Sequence, residues 1–241
     1  MEKQTETSEH CFGNKGMTSA KSPVNWQKRL DLRIRRFQDD GLVPKLLLHA
    51  CCAPCSSYVL EYLSQYFDIT LFYYNPNITD RDEYLKRVGE VRRLIASLPA
   101  VHPVSFVEGP YEPQVFLHAV KGLEKEPEGG ARCAECFRLR LEKTASVAAR
   151  MAAADGGEVL FTTTLTISPL KNADLLNEIG IRAASAFEGI AWLDSDFKKR
   201  DGYKRSIQLS AQYGLYRQDY CGCAFSKAAR HPETENCFLP E

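Results

Sequence analysis

The 241-residue chain has no long apolar run: nothing in it approaches the roughly 20 residues a membrane-spanning helix needs. Its opening residues, Met1-Glu2-Lys3-Gln4-Thr5-Glu6-Thr7-Ser8-Glu9-His10, also lack the apolar core of a signal peptide. Neither sign of charge is in excess, with 31 Lys and Arg against 31 Asp and Glu, so composition by itself announces no nucleic-acid partner and leaves only a local basic face open. There is no internal repeat. Where the first strand-like segment ends there is no glycine-rich phosphate loop; cysteines and Pro54 stand there instead. These absences predict a cytoplasmic protein with no membrane partner, long enough to bury its own core.

What the chain does have is cysteine. Nine occur, an odd number that argues against a fully paired disulfide framework, and a reducing cytosol makes metal ligation or thiol chemistry the commoner use. Seven fall in three tight groups: Cys51, Cys52 and Cys55; Cys133 and Cys136; Cys221 and Cys223. Cys11 and Cys237 stand alone near the two ends.

Around these groups the pattern alternates strand and helix. Residues 1–22 are polar and aperiodic and read as a disordered tail; 23–44 read as an amphipathic helical extension, with Trp26, Leu30, Ile34 and Phe37 at helical spacing. Residues 45–230 read as one α/β domain, and 231–241 as a polar tail. Leu46 to Ala50 is the first buried strand, followed by a helix from about Ser56 to Gln65. Further strands are predicted at 69–74, 104–107, 159–164 and 191–193, and helices at about 80–97, 113–121, 134–154, 172–187 and 202–213. This order predicts a mostly parallel, Rossmann-like (nucleotide-hydrolase-like) sheet flanked by helices. In such sheets ligands bind beyond the carboxyl ends of the strands, which is where Cys51, Cys52 and Cys55 fall. A following helix N-terminus would favour their thiolates.

Cys133 and Cys136, at i and i+3 on a helix start, offer two sulfurs on one face, and two more from the first strand end would complete the set of four that a 4Fe-4S cluster takes. Zinc or a redox pair explains an isolated Cys-x-x-Cys about as well. Cys221-Gly222-Cys223 reads either as a labile, redox-active pair or as two metal ligands on a turn.

His49-Ala50-Cys51-Cys52-Ala53-Pro54-Cys55, Tyr74-Asn75-Pro76-Asn77, Cys133-Ala134-Glu135-Cys136-Phe137, Thr162-Thr163-Thr164-Leu165 and Leu215-Tyr216-Arg217-Gln218-Asp219-Tyr220-Cys221-Gly222-Cys223 together resemble the epoxyqueuosine reductase family of the QueH type, in matching order from about Leu46 to Ser226. The resemblance implies reduction of epoxyqueuosine in tRNA to queuosine, the last step of queuosine biosynthesis. It implies a 4Fe-4S cluster on Cys51, Cys52, Cys133 and Cys136, and a redox-active pair at Cys221 and Cys223. Cys55 is a candidate ligand for a second, mononuclear iron. Asp196 and Tyr220 flank the terminal thiols and are candidate proton donors.

The implied partners are the anticodon loop of tRNA and an unidentified electron donor. Arg138, Arg140 and Lys143 after Cys136, and Lys198, Lys199, Arg200, Lys204 and Arg205 before Cys221, are candidates for its phosphates; Tyr73, Tyr74 and Tyr203 are candidates to stack on its bases. Two other functions fit parts of the pattern: an ATP-dependent tRNA-modifying enzyme of related fold, and a zinc-stabilised RNA-binding module.

Overall fold

The computed structural model of the chain describes residues 24–232. The expected polar tail 1–22 lies outside the described residues, as do residues 233–241 of the second tail, Cys11 and Cys237. The element order is α1 (Trp26–Asp39), β1 (Lys45–His49), α2 (Ala53–Leu63), β2 (Asp68–Tyr73), α3 (Arg81–Ser97), β3 (Val104–Glu108), α4 (Pro113–Ala119), α5 (Ala131–Asp155), β4 (Val159–Thr163), a 3-10 turn (Thr164–Ile167), α6 (Ala173–Ala184), β5 (Ile190–Trp192), α7 (Gly202–Gln212) and α8 (Ala224–Arg230). The five strands form one all-parallel sheet in the order β3-β2-β1-β4-β5.

Strand alternation sorts the core into two layers. Leu46 and Leu48 of β1, Ile69, Leu71 and Tyr73 of β2 and Leu160 of β4 face one side, where α1, α2 and α3 pack through Leu30, Ile34, Leu60, Leu63, Val88 and Val91. Leu47, Phe72, Val159 and Phe161 face the other side and meet Phe137, Leu141, Ala145, Ala148 and Ala152 of α5 and Leu176 of α6. The alanine stripe lets α5 lie close to the sheet. Gly180 of α6 does the same against Trp192, since a Cβ there would stand 2.3 Å from the indole ring. The N-terminal helix belongs to this core: Leu30 is fully buried, and Trp26 donates to the Asp174 carboxylate.

The chain reverses its direction of travel across the sheet between β1 and β4. Their carboxyl ends therefore open the crevice where α/β proteins hold ligands. Three local features differ from the sequence expectation, and each of them bears on where a cysteine group sits. First, α2 starts at Ala53 rather than near Ser56, because Cys52 takes the extended N-cap conformation and Pro54 is tolerated in the first turn. Second, α5 starts at Ala131, which puts Cys133 inside its first turn. Third, a helix follows Cys223, whose sulfur accepts from Ser226 N–H at 3.3 Å and caps α8.

Candidate metal and thiol site

The end of β1 is held by buried polar bonds. His49 is fully buried, its Nδ1 lies 2.8 Å from Thr163 Oγ1 and its Nε2 lies 3.0 Å from the Tyr74 carbonyl. Because Leu165 N–H donates to Thr163 Oγ1 at 3.1 Å, the consistent arrangement has the threonine hydroxyl donating to Nδ1 and Nε2–H donating to the carbonyl. Burial, aided by the Arg140 charge, lowers the His49 pKa to about 3, so the ring is neutral and serves as a brace. Asn75 adds a bond from its amide to the Ala50 carbonyl at 2.9 Å.

Beyond this brace the chain turns out through Cys51, whose N–H donates to Thr164 Oγ1 at 3.1 Å. The sulfurs of Cys51, Cys52 and Cys55 all lie within 4.8 Å of one another, with Cys51 and Cys52 3.8 Å apart. Hydrogen bonds from the Cys52 and Cys55 thiols hold Cys51 well below the usual thiol range, with help from the charges of Lys171 and Arg140. The same sharing pushes Cys52 up to about 11 and Cys55 well above its ordinary value. The trio thus holds one thiolate and two thiols, poised to lose protons to a metal ion.

Cys221 and Cys223 form the second thiol pair, with sulfurs 3.5 Å apart. Gly222 between them sits at φ +112°, and a Cβ there would come within 2.8 Å of Ile78 and 3.1 Å of the Arg87 guanidinium. Only glycine meets both conditions without strain. The turn is pinned by Asn77 and Arg87, which donate to the Cys221 carbonyl at 3.2 and 3.1 Å. A hydrogen bond from Cys223 brings the Cys221 pKa down to about 5, with further bonds from Ser226 and the Cys223 backbone, while the same bond pushes Cys223 far up. The result is one thiolate beside one thiol.

Cys133 and Cys136 complete the set from α5. Burial raises both, Cys136 to about 11. A cavity of about 350 Å³ is lined by Cys51, Cys52, Cys55, Tyr220 and Cys221, and a smaller one of about 30 Å³ by Cys133, Cys136, Cys221 and Cys223. Cys221, Arg140 and Lys171 line both. Six of the seven described cysteines were read from sequence as the core of the site; the seventh, Cys55, joins the trio because α2 starts early.

Other expectations fare differently. Arg140 is 3 % exposed, so it is no surface contact for phosphate. Arg138 is tied to Glu135 and Glu142, Lys198 to Asp196, Arg200 to Asp31 and Arg205 to Glu61. Tyr73 and Tyr74 are buried under the sheet edge at 0 % and 3 % exposure and cannot stack on a base, whereas Tyr203 is exposed and lines the larger cavity. Both faces of the sheet are covered where β2 ends, so Tyr73 is buried in one core layer and Tyr74 in the other. Asp196 lies in neither cavity lining, and the N-cap of α7 is Asp201. Lys171, at the end of the polar stretch that follows β4, lines both cavities; it is a single cation after a proline turn, and no spacing rule marks its role.

A sequence model of the family described as "Epoxyqueuosine reductase QueH" matches residues 46–229. The chain is 42 % identical over 207 residues to a protein of that name from Staphylococcus epidermidis, covering 84 % of each. It is 40 % identical over 205 residues to one from Streptococcus pyogenes, covering 84 % of this chain and 78 % of that one. With one from Thermotoga maritima the identity is 34 % over 188 residues, covering 77 % and 91 %.

Proposed function

Since the chain belongs to the epoxyqueuosine reductase QueH family, we propose that it reduces epoxyqueuosine in tRNA to queuosine, with a 4Fe-4S cluster on Cys51, Cys52, Cys133 and Cys136 and a redox dithiol at Cys221 and Cys223. The observation that carries this reading is the position of Cys221, which lines the trio's cavity and the Cys133–Cys136 cavity alike. The donor set fits an iron–sulfur group: the candidate ligating atoms are soft sulfurs delivered from separate segments, and Arg140, Lys171 and Glu128 line both cavities.

When bound, the cluster supplies single electrons, and a second iron at Cys55 would supply a Lewis acid. The chain's own groups account for the balance. The epoxide carbon–oxygen bonds break, a carbon–carbon double bond forms, and the oxygen leaves as water. Cys221 and Cys223 give up two electrons and the single proton on Cys223 as they join in a disulfide, and the second proton of the water comes from solvent; a separate electron donor returns the pair to the dithiol. Cys221 enters as the thiolate and Cys223 as the thiol that holds a proton. The Tyr220 hydroxyl, whose pKa burial raises to about 12, stays protonated, and the residue lines the larger cavity, where it can supply a proton.

That cavity has the size of a small-ligand site, enough for one extruded nucleoside. Tyr203 at its mouth offers a stacking face, and Arg217 and Arg230 offer charge to the flanking phosphates. The spacing of Cys51, Cys52 and Cys55 also suits a single tetrahedral ion, which keeps a zinc-stabilised RNA-binding module as a second reading.

Metal analysis separates the two. Protein purified without oxygen should be brown and carry iron and sulfide near cluster stoichiometry. Offered a reductant and tRNA bearing epoxyqueuosine, it should remove one oxygen from that nucleoside, as read by mass spectrometry. A colourless zinc protein that leaves the nucleoside intact would refute the reductase.

A further inference from the structure

Arg140 is a buried cation with an unusual set of neighbours. It lies four residues after Cys136 on α5, so both project from one face of the helix. Its Nη1 approaches Cys136 Sγ at 3.8 Å, its Nη2 donates to Asn75 Oδ1, and its Nε lies 3.4 Å from His49 Nε2. None of these partners is a carboxylate. Arg87, equally buried on α3, shows the other solution: there Glu83 supplies the opposite charge at 2.6 Å. Arg132, also buried, rests on the Leu123 and Glu124 carbonyls.

A buried guanidinium needs negative charge close by, and a protein that leaves out the carboxylate must supply another anion. Glu128, which also lines both cavities, is paired with Arg230 at 3.8 Å, and the groups beside the guanidinium that become anions are the sulfurs, Cys136 first, once a metal displaces their protons. Arg140 touches Cys136 and lines both the cavity that holds Cys51 and Cys52 and the one that holds Cys133 and Cys136, so its charge faces both of the cysteine groups assigned to the cluster. The bond to Asn75 fixes the guanidinium between the ends of β1 and β2, with the His49 ring packed beside it.

We propose that Arg140 is a positioning residue: it is the fixed counter-charge between the two cluster-binding cysteine groups, and it raises the reduction potential of the metal centre they hold. Reduction adds a negative charge to a site already rich in thiolate. A permanent positive charge beside it favours the reduced form more than the oxidised one. This inference rests on the cluster reading above and goes beyond it by assigning the tuning group.

The test compares the iron-loaded wild type with Arg140→Gln, Arg140→Met and Arg140→Lys, measuring iron content, melting temperature and reduction potential by spectroelectrochemical titration. Both neutral variants should keep their iron and become at least tenfold harder to reduce, a fall of 59 mV or more for one electron. Arg140→Lys keeps the charge and should stay within threefold of wild type. Two results would overturn the proposal: a neutral variant that holds full iron at the wild-type potential, or a lysine variant displaced as far as the neutral ones. If every neutral variant unfolds, the lysine variant decides by the same criterion. A wild-type protein that takes up no iron removes the cluster reading together with this one, whereas loaded variants with unchanged potential remove this one alone.

Discussion

If Cys223 holds Cys221 as a thiolate, the pH dependence of Cys221 chemistry is set by one hydrogen bond. In the structure the two sulfurs are 3.5 Å apart, and the Cys221 pKa falls from 9.0 to about 5 with that bond as its largest cause. The sign follows from the acid form: Cys221 is neutral below pH 5, charged above it, and reaction with a disulfide reagent should rise through pH 5 and then level off. The absolute rate near neutrality is a poor guide. At pH 7 the lowered pKa gives about 30-fold more thiolate than an ordinary thiol near 8.5. The weaker intrinsic nucleophilicity of a low-pKa sulfur costs about 40-fold in return. At pH 5.5 the two effects separate, because an ordinary thiol is then only about 0.1 % ionised, and Cys221 should react about 20-fold faster. The assay is a pH series of labelling by an activated disulfide on the reduced, iron-loaded protein, with Cys221 followed by peptide mass. Cys223→Ala removes the donor and should move the midpoint up by at least one pH unit. A wild-type midpoint above pH 7.5, or one that does not move in the variant, would refute the reasoning.

Other outcomes follow from the same geometry. Cys133→Ala should abolish both iron–sulfur colour and turnover, and a full complement of iron in that variant would show the ligand set to be wrong. Cys221→Ser should keep the colour and stop turnover of epoxyqueuosine tRNA under single-turnover conditions. Gly180→Ala drives a methyl group into Trp192, 2.3 Å from the nearest ring atom, and should cost about 1–3 kcal/mol in chemical denaturation. Tyr203→Ala should raise KM for tRNA several-fold while leaving iron content unchanged, because the ring stands at the mouth of the cavity and touches no ligand sulfur in the proposed set.

Much of this architecture is written locally. The three leucines Leu46, Leu47 and Leu48, the β-branched and aromatic runs at β2 and β4, and the alternation of apolar strand with amphipathic helix were enough for a parallel α/β sheet, because side-chain period and burial are properties of neighbours in sequence. The cysteine groups were legible for the same reason: each is a cluster along the chain. Element ends were less so. Cys52 as an extended cap and Cys223 as the cap of α8 depend on a backbone conformation that a cysteine does not advertise.

The sequence by itself determined which residues carry sulfur, in what order, and at which strand and helix ends they fall. Only the tertiary structure decided that α5 lies against β1 and β4, so that Arg140 turns inward to Cys136 and Asn75 rather than outward to an RNA phosphate. Tyr74 is buried in the layer that holds α5 and Tyr73 in the layer on the opposite face, against Tyr84 of α3, while Tyr203 is left in the open. The physical reason is that a helix shows one face to the sheet and another to water, and which face a given arginine occupies is fixed by what packs beside it. Spacing along the chain records the faces; it does not record the neighbour.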